Sequence, residues 1–226
     1  MARKCRVEIV KMVHRAQAGH PGGSLSEIDL MVALYANHMR IDSNNPDWED
    51  RDRFVLSKGH ASPGMYALLA EMGFISHEDL HSYRVKGGKC QGHVDMKWCP
   101  GVDFSAGSLG MGLSYGLGCA IAGRLSGSER RAWVMLGDGE IQEGSIWEAA
   151  LVSAQSASRL SCNPVRAPPQ GACLQRVTAT SREHASVPAV CAARRGRVGS
   201  SEVCSRGQPG EGAQGPGLDP GLRGRV

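Results

Sequence analysis

Ala132-Trp133-Val134-Met135-Leu136 runs directly into Gly137-Asp138-Gly139-Glu140, and this stretch decides the fold. Five apolar residues before a Gly-Asp-Gly segment predict a buried strand that ends in a tight turn. In an open α/β sheet, such a turn lies at the carboxyl end of a strand, where ligands bind. The glycines let a ligand approach the backbone, and the Asp138 carboxylate is placed to hold a hard cation, which can hold a diphosphate. The stretch therefore predicts a ligand site.

The chain of 226 residues has two parts of unlike composition. Residues 156–226 contain no aromatic residue, Lys, Ile or Met, are rich in Arg, Gly, Pro and Ser, and carry more positive charge than the whole chain's net +4. We therefore predict one α/β domain over residues 1–155 and a low-complexity, disordered tail over residues 156–226. The same residue usage also results when GC-rich DNA is read out of frame, and we favour that origin for the tail.

Within residues 1–155, helical patterns alternate with short apolar runs, which is typical of βαβ units and a parallel sheet flanked by helices. Met111 and Met135 are interpreted as core residues. Ser24–Glu27 has the pattern of a capping box and predicts a helix start there. The remaining predicted elements are a helix over 3–17, a strand over 53–57, a helix over about 63–72, a helix beginning within 107–112 and a helix over 143–154.

Three histidines, His20, His60 and His93, each follow a glycine at a loop. One such residue is most often a hydrogen-bonded loop residue, whereas three indicate a polar cleft. Imidazole groups can orient hydroxyl and phosphate groups and stabilise developing negative charge. No two of these histidines have the spacing of a zinc site, so we do not interpret them as metal ligands.

The eight cysteines lack the spacing of a metal site and are interpreted as free thiols in a reducing compartment. We recognise no signal peptide and no run of transmembrane length. We expect a cytoplasmic protein that does not bind membranes. The basic charge belongs to the tail, which has no aromatic residues for base stacking, so nucleic-acid binding is a remote alternative.

Five motifs together resemble the transketolase family, in its order and spacing. The likeness is strongest to the amino-terminal subunit of two-chain transketolases and extends to about Gln155. Each motif alone is weak, but five in register are specific. The motifs are AGHPGGS at 18–24, LSKGHA at 56–61, GH at 92–93, SAGSLG at 105–110 and GDGEIQEG at 137–144.

The resemblance implies a thiamine diphosphate site in which Asp138 ligates the Mg²⁺ or Ca²⁺ ion that bridges the diphosphate. It implies that Gly139 and the 107–109 segment lie along the cofactor and that Glu143 lies at a subunit contact joining two cofactor sites. His60 is expected near the diphosphate and the substrate. The implied catalytic residues are His20, His60, His93 and Glu143, and the implied cofactor-binding residues are His60, Gly107, Ser108, Leu109, Asp138 and Gly139.

The family's chemistry moves a two-carbon ketol unit between sugar phosphates. The resemblance implies a partner, a carboxy-terminal subunit carrying the pyrimidine-binding domain, and a homodimeric arrangement of such pairs. The family's metal motif also needs an Asn about thirty residues after the Asp, where this chain has Pro168. We predict that the remaining metal ligands are absent and that residues 156–226 do not pack on the domain.

Three hypotheses remain open. The first is a transketolase subunit that works only with a partner chain. The second is a truncated or frameshifted product of the same gene, inactive because it cannot bind the cofactor. The third is a nucleic-acid-binding protein that uses its basic tail.

Overall fold

The computed structural model of the chain describes residues 1–156 and 160–165, and side chains through residue 154. The chain divides into two compact units, residues 1–193 and 194–226, and all described residues lie in the first. In the described part, no helix is long and apolar enough to span a bilayer.

A three-stranded parallel sheet forms the centre of the described unit. Its strands are β1 (Arg53–Leu56), β2 (Ala132–Gly137) and β3 (Leu160–Val165), and β2 lies between the other two. The α/β fold with a parallel sheet is therefore confirmed, as are the two strands predicted from apolar runs. The predicted disorder of the tail concerns residues that are mostly outside the described ranges.

The third strand corrects one prediction. We expected no segment after residue 155 to pack on the domain, but Leu160–Val165 pairs in parallel with β2, with Asn163 opposite Met135. The strand escaped prediction because it contains Pro164, which lacks an N–H group and argues against a central strand. Among the described strands, β3 lies at an edge, where a proline is tolerated.

In the part of the chain that the structure describes, five helices flank the sheet, and three short 3₁₀ turns lie in the connections between elements. The helices are α1 (Ala2–Ala16), α2 (Pro21–Asn37), α3 (Ser62–Glu71), α4 (Met111–Leu125) and α5 (Gly144–Ser156), and the 3₁₀ turns are Gly59–Ala61, Asp79–Ser82 and Glu140–Gln142.

The start of α2 differs from the sequence prediction. The helix begins at Pro21, one turn earlier than the capping box indicated, because proline has a backbone angle suited to the first helical position. Ser24 is buried within the first turns, where its hydroxyl donates a hydrogen bond to the carbonyl oxygen of Ala61. The serine therefore joins α2 to the segment that follows β1.

Alternate residues of the strands pack against two different helical layers, because successive side chains in a strand point to opposite faces. Phe54 and Leu56 pack with buried residues of α1, α2 and α3. Val55 and Val134 pack with buried residues of α4 and α5. Burial on both faces is typical of a parallel sheet and directs its functional groups to the strand ends.

Candidate active site

Two polar segments begin where neighbouring parallel strands end. Ser57-Lys58-Gly59-His60 follows β1, and Asp138-Gly139-Glu140 follows β2. Since β1 and β2 pair in parallel, their carboxyl ends lie at the same edge of the sheet. This edge is where an open α/β sheet binds ligands.

Glu140 connects three segments at this edge. Its carboxylate is buried and accepts hydrogen bonds from the Ser57 hydroxyl, the Gly110 N–H at 2.9 Å and the Gly137 N–H at 2.9 Å. The Ser57 oxygen in turn accepts a hydrogen bond from the N–H of Gly112 at 3.2 Å. One buried carboxylate thus fixes the ends of β1 and β2 and the start of α4 relative to one another.

The residues predicted to contact a diphosphate are exposed around this buried network. Gly107, Ser108, Leu109, Asp138 and Gly139 are all exposed. A methyl group added at Gly107 or Gly139 would meet no atom within 4 Å. The open space beside exposed backbone, next to a carboxylate that can hold a bridging cation, fits a diphosphate.

The metal site is less complete. In the part of the chain with described side chains, no group of three or more His, Cys, Asp or Glu residues is arranged to hold a metal ion. Among the described side chains, Asp138 is therefore not part of a cluster of three or more such ligands. Mg²⁺ prefers six oxygen ligands and is often bound through one or two carboxylates, phosphate oxygens and water. The residues fit the diphosphate but not an all-protein metal site.

The rings of His20 and His60 contact each other after the end of β1, and the segment that carries His93 is hydrogen-bonded to the segment that carries His60. The ring centroids of His20 and His60 are 5.2 Å apart, with the planes nearly perpendicular. Val94, next to His93, donates its N–H to the carbonyl oxygen of Gly59, next to His60, at 3.2 Å. The three histidine-bearing segments are therefore neighbours, and the shared polar cleft stays a prediction.

Burial and neighbouring side chains act together on the pKa of His60. Desolvation lowers the pKa of the His60 imidazole below its ordinary value, and His20, Lys58 and His93 lower it further. Glu140 has the opposite, smaller effect on this pKa. His60 therefore favours the neutral form, which can both donate and accept a hydrogen bond.

A side chain at the glycine before each histidine would meet a close neighbour, which is backbone only at Gly59. A Cβ atom at Gly59 would collide with the carbonyl oxygen of Ala106. At Gly19, which has a φ of 137°, a Cβ atom would lie 2.8 Å from the hydroxyl oxygen of Tyr83. At Gly92 it would lie 3.2 Å from the guanidinium carbon of Arg84. The backbone that carries the imidazoles therefore lies close to its neighbours, most closely at Gly59.

A buried ion pair lies behind the histidines. Lys58 Nζ is 2.5 Å from Glu27 Oε2, and both side chains are almost wholly buried. The Lys58 stem also packs against Gly137, because a Cβ atom there would lie 3.3 Å from Lys58 Cδ. Burial raises the pKa of Glu27 to about 7, although the charge of Lys58 opposes this shift.

Sequence reasoning missed these buried charges as parts of the site. Lys58 and Glu140 stand in the motifs but received no role of their own, and Glu27 was interpreted only as part of a capping box. Their partners are distant in sequence, as Ser57 and Glu140 are 83 positions apart, so no local pattern revealed them. The interpretation of Met111 as a core residue was wrong, since it is 50% exposed beside the open 107–109 segment, whereas Met135 is fully buried.

Comparison with known proteins identifies this arrangement. The sequence profile described as "Transketolase, thiamine diphosphate binding domain" matches residues 1–160. The chain belongs to the transketolase family. The predicted likeness to this family is therefore confirmed, and the match extends five residues beyond the predicted limit.

Relatives of the chain include single subunits of transketolases. The chain is 44% identical over 133 residues to the 6-deoxy-6-sulfo-D-fructose transketolase subunit SqwG of Clostridium sp. (strain MSTE9), covering 59% of this chain and 48% of that protein. It is 40% identical over 154 residues to one subunit of the apulose-4-phosphate transketolase of Phocaeicola vulgatus, covering 68% of this chain and 54% of that protein. The chain spans about half the length of these transketolase subunits.

Solved transketolases share the fold. The transketolase of Leishmania mexicana superposes with a TM-score of 0.68 at 31% sequence identity, covering 72% of this chain and 26% of that structure. The human transketolase is 38% identical over 149 residues, covering 66% of this chain and 24% of that protein. The chain thus corresponds to about a quarter of each of these longer proteins.

Proposed function

We propose that this chain is the diphosphate-binding part of a two-chain transketolase. The reaction is the transfer of a two-carbon ketol unit between sugar phosphates, dependent on thiamine diphosphate and Mg²⁺ or Ca²⁺. The observation that carries the proposal is the convergence of the Asp138 loop, the 107–109 segment and three histidines at one edge of the sheet. The two subunit relatives described above are named for sugars that carry an anionic group, a sulfonate or a phosphate.

On the cofactor side, Asp138 is the proposed metal ligand, and Gly107, Ser108, Leu109 and Gly139 are the proposed contacts to the cofactor. All five are exposed on segments held by the buried Glu140. Bound thiamine diphosphate would supply the carbanion and the electron sink for the ketol unit. The protein groups position the diphosphate at the ends of β1 and β2.

On the substrate side, His20, His60 and His93 are the proposed binding and proton-transfer residues. His60 is half-buried and has a lowered pKa, so its neutral ring can accept a proton from a sugar hydroxyl group. His20 and His93 are exposed and can reach a bound sugar. His60 lies between the two sides and would contact both the cofactor and the substrate.

The proposed partner is a subunit carrying the pyrimidine-binding domain, and two such pairs would form a dimer. Glu143 is exposed beside the start of α4, with its Cβ 2.9 Å from the position of a Cβ atom at Gly110. Trp147 and Leu151, on the helix that follows, are also exposed apolar residues. A carboxylate next to exposed apolar groups supports the proposed role of Glu143 at a subunit contact. We also propose a cytoplasmic location.

Cofactor binding tests the diphosphate side directly. The full chain is titrated calorimetrically with thiamine diphosphate and Mg²⁺. We expect weak or absent binding, because Asp138 needs further oxygen ligands to complete the metal site. Any measurable affinity should be lost in Asp138→Ala and kept in the matched variant Asp79→Ala, whose carboxylate pairs with Lys89 elsewhere. Tight binding that survives Asp138→Ala would contradict the placement of the metal.

Ketol transfer tests the pairing. The assay follows transfer from xylulose 5-phosphate to ribose 5-phosphate by the chain, and by its frame-corrected form, each alone and with the partner subunit. The pair should be active, and the lone subunit slower by about 10²–10⁴-fold, the usual value of an activating proton-transfer group. Full activity of the lone subunit contradicts the pairing. An inactive pair with bound cofactor contradicts the proposed reaction.

The frameshift hypothesis is favoured by the composition of residues 156–226. It predicts that the coding DNA contains a change of frame near codon 155. Reading the other frame should then restore a Val-Asp-Tyr-Asn segment downstream. An intact frame would reject this hypothesis.

A further inference from the structure

Two buried hydroxyl groups of α3 hold the loop segment that carries His93. The Ser62 hydroxyl donates a hydrogen bond to the carbonyl oxygen of Gly92 at 2.9 Å. The Tyr66 hydroxyl donates one to the carbonyl oxygen of His93 at 3.1 Å. Both side chains are wholly buried. Residues four apart on a helix lie on the same face, so successive turns of α3 meet successive carbonyl groups of the loop.

These two carbonyl groups belong to the peptide units on either side of the His93 Cα atom. A peptide unit is planar, so holding both units fixes the backbone at His93 and with it the direction of the Cα–Cβ bond. The next residue, Val94, donates its N–H to the carbonyl oxygen of Gly59 and accepts a hydrogen bond from the N–H of Ala106, both at 3.2 Å. His93 itself is exposed, so a residue open to ligands stands on a backbone that is already held in place.

The ring of Tyr66 has contacts separate from those of its hydroxyl. It lies edge-to-face with the ring of Tyr83, with 6.4 Å between the ring centroids. The Tyr83 hydroxyl oxygen in turn lies 2.8 Å from the position of a Cβ atom at Gly19, which precedes His20. The substitution Tyr66→Phe keeps the ring and therefore removes only the hydrogen bond to the His93 segment.

We propose that Tyr66 and Ser62 are positioning residues that act on the sugar substrate through His93. This assignment rests on the proposed function, because it takes His93 as a residue that binds the sugar. The alternative is a pair of hydroxyl groups that only stabilises the fold. Positioning is favoured because both hydrogen bonds go to the peptide units that flank one exposed residue of the candidate site.

The kinetic test places Tyr66→Phe in the paired ketol-transfer assay described above. The value of kcat/KM for xylulose 5-phosphate should fall about tenfold, because small displacements of a substrate-binding group are costly. The loss should lie mostly in a higher KM, since a displaced imidazole loses contact with the sugar in the ground state and the transition state alike. Adding Tyr66→Phe to His93→Ala should cause no further loss, because the hydroxyl acts only through that histidine.

Tyr35→Phe is the matched control. It also removes a buried tyrosine hydroxyl, which donates to Met65 Sδ at 3.9 Å rather than to residues 92–94. Its kinetics should match those of the wild type within about twofold, even where its thermal unfolding falls as far as that of Tyr66→Phe. Equal kinetic losses in the two variants would show a general loss of stability and overturn the proposal. Wild-type kinetics in Tyr66→Phe, or a loss that adds to that of His93→Ala, would also overturn it.

Amide hydrogen exchange of the full chain tests the positioning without the reaction. Tyr66→Phe should speed exchange of the Val94 N–H about tenfold, as expected for the loss of one supporting hydrogen bond, and should shift the NMR signals of the His93 ring. Tyr35→Phe should leave both unchanged. Ser62→Ala, which removes the other hydroxyl, replaces Tyr66→Phe in both experiments if that variant does not fold.

The two experiments separate the possible failures. Unchanged Val94 exchange and unchanged His93 signals in Tyr66→Phe would overturn the positioning role, whatever the assay shows. An inactive wild-type pair would instead reject the proposed function, and with it the sugar as the ligand of His93.

Discussion

The two sides of the candidate site hold their exposed groups by different means. On the cofactor side, one buried carboxylate, Glu140, accepts hydrogen bonds from three chain segments. On the histidine side, glycines such as Gly59 pack directly against neighbouring atoms, with no room for a methyl group. Removing a buried charge should therefore destabilise the cofactor side, whereas adding a methyl group should destabilise the histidine side.

The largest effect is expected from Glu140→Ala. The change leaves the N–H groups of Gly110 and Gly137 buried without their acceptor, and each hydrogen bond to a charged group is worth about 1.5–3 kcal/mol. We expect the free energy of unfolding to fall by about 3–5 kcal/mol, measured by urea denaturation.

Glu143→Ala is the matched control, because Glu143 is an exposed glutamate three residues away. Its effect on the free energy of unfolding should stay within about 0.5 kcal/mol. If Glu140→Ala is equally mild, the buried carboxylate does not hold the cofactor side together.

The second prediction concerns the buried Glu27–Lys58 pair. Lys58 is close to both sides of the site, because it packs against Gly137 and lies two residues before His60. Burial raises the pKa of Glu27 from 4.5 to about 7, so the folded state binds a proton more tightly than the unfolded state. Between these values the folded state holds more protons, and its stability therefore decreases as the pH rises. Above about pH 7 both states are ionised and this contribution to the slope disappears.

The measurement is the free energy of unfolding of the wild type and Glu27→Gln from pH 4 to 8. The wild type should lose up to about 3 kcal/mol from this group as the pH rises, and Glu27→Gln should lack that part of the slope. Glu8→Gln, at a carboxylate on α1 that pairs with Lys11, is the control and should keep the wild-type profile. A Glu27→Gln profile parallel to the wild type would contradict the raised pKa.

The sequence predicted those features of the fold that depend on local patterns. The apolar runs at 53–57 and 132–136 indicated two strands, because alternate side chains there are buried on both faces of the sheet. The sequence did not reveal β3, because Pro164 is unfavourable in strands except at an edge. The position of an edge depends on the whole sheet and cannot be read from six residues.

The same distinction applies to the site. Asp138 and the three histidines stand in loop motifs with glycine, so their types and spacing were informative. Glu27 and Glu140 act through partners that lie 31 and 83 residues away in the chain, at Lys58 and Ser57. Their roles follow from the tertiary structure, because a buried charge has meaning only with its partner.

The third prediction tests the histidine side with a single methyl group. Gly59→Ala places a Cβ atom against the backbone carbonyl of Ala106, which cannot move as a side chain can. We expect a loss of about 1–3 kcal/mol in the free energy of unfolding, the usual cost of overpacking. The NMR signals of the His60 ring should shift as the backbone moves.

Gly107→Ala makes the matched comparison on the cofactor side. A methyl group there meets no atom within 4 Å, so the free energy of unfolding should change by less than about 0.5 kcal/mol. Because the methyl group would occupy the proposed cofactor space, any affinity for thiamine diphosphate should fall. Equal destabilisation by the two substitutions would remove the distinction between a packed and an open glycine.

The smallest effect is expected from His20→Gln, which alters the charge around His60 without adding a buried atom. The rings of His20 and His60 are 5.2 Å apart, and His20 is one of the groups that lower the pKa of His60. Its removal should raise the pKa of His60, while burial, the larger cause, and the charge of Lys58 still hold it below the ordinary value. The unfolded state binds a proton to His60 more readily than the folded state. The His60 contribution to stability is therefore present above the unfolded pKa and is lost as the pH falls from that value through the lower, folded pKa. His20→Gln should weaken this pH dependence slightly.

NMR titration of the His60 ring measures its pKa. The control is His77→Gln, which changes an exposed histidine beside Glu71. A His60 pKa that stays constant or falls in His20→Gln would show that the two imidazoles are not electrostatically coupled, and the histidine side would then be held by packing alone.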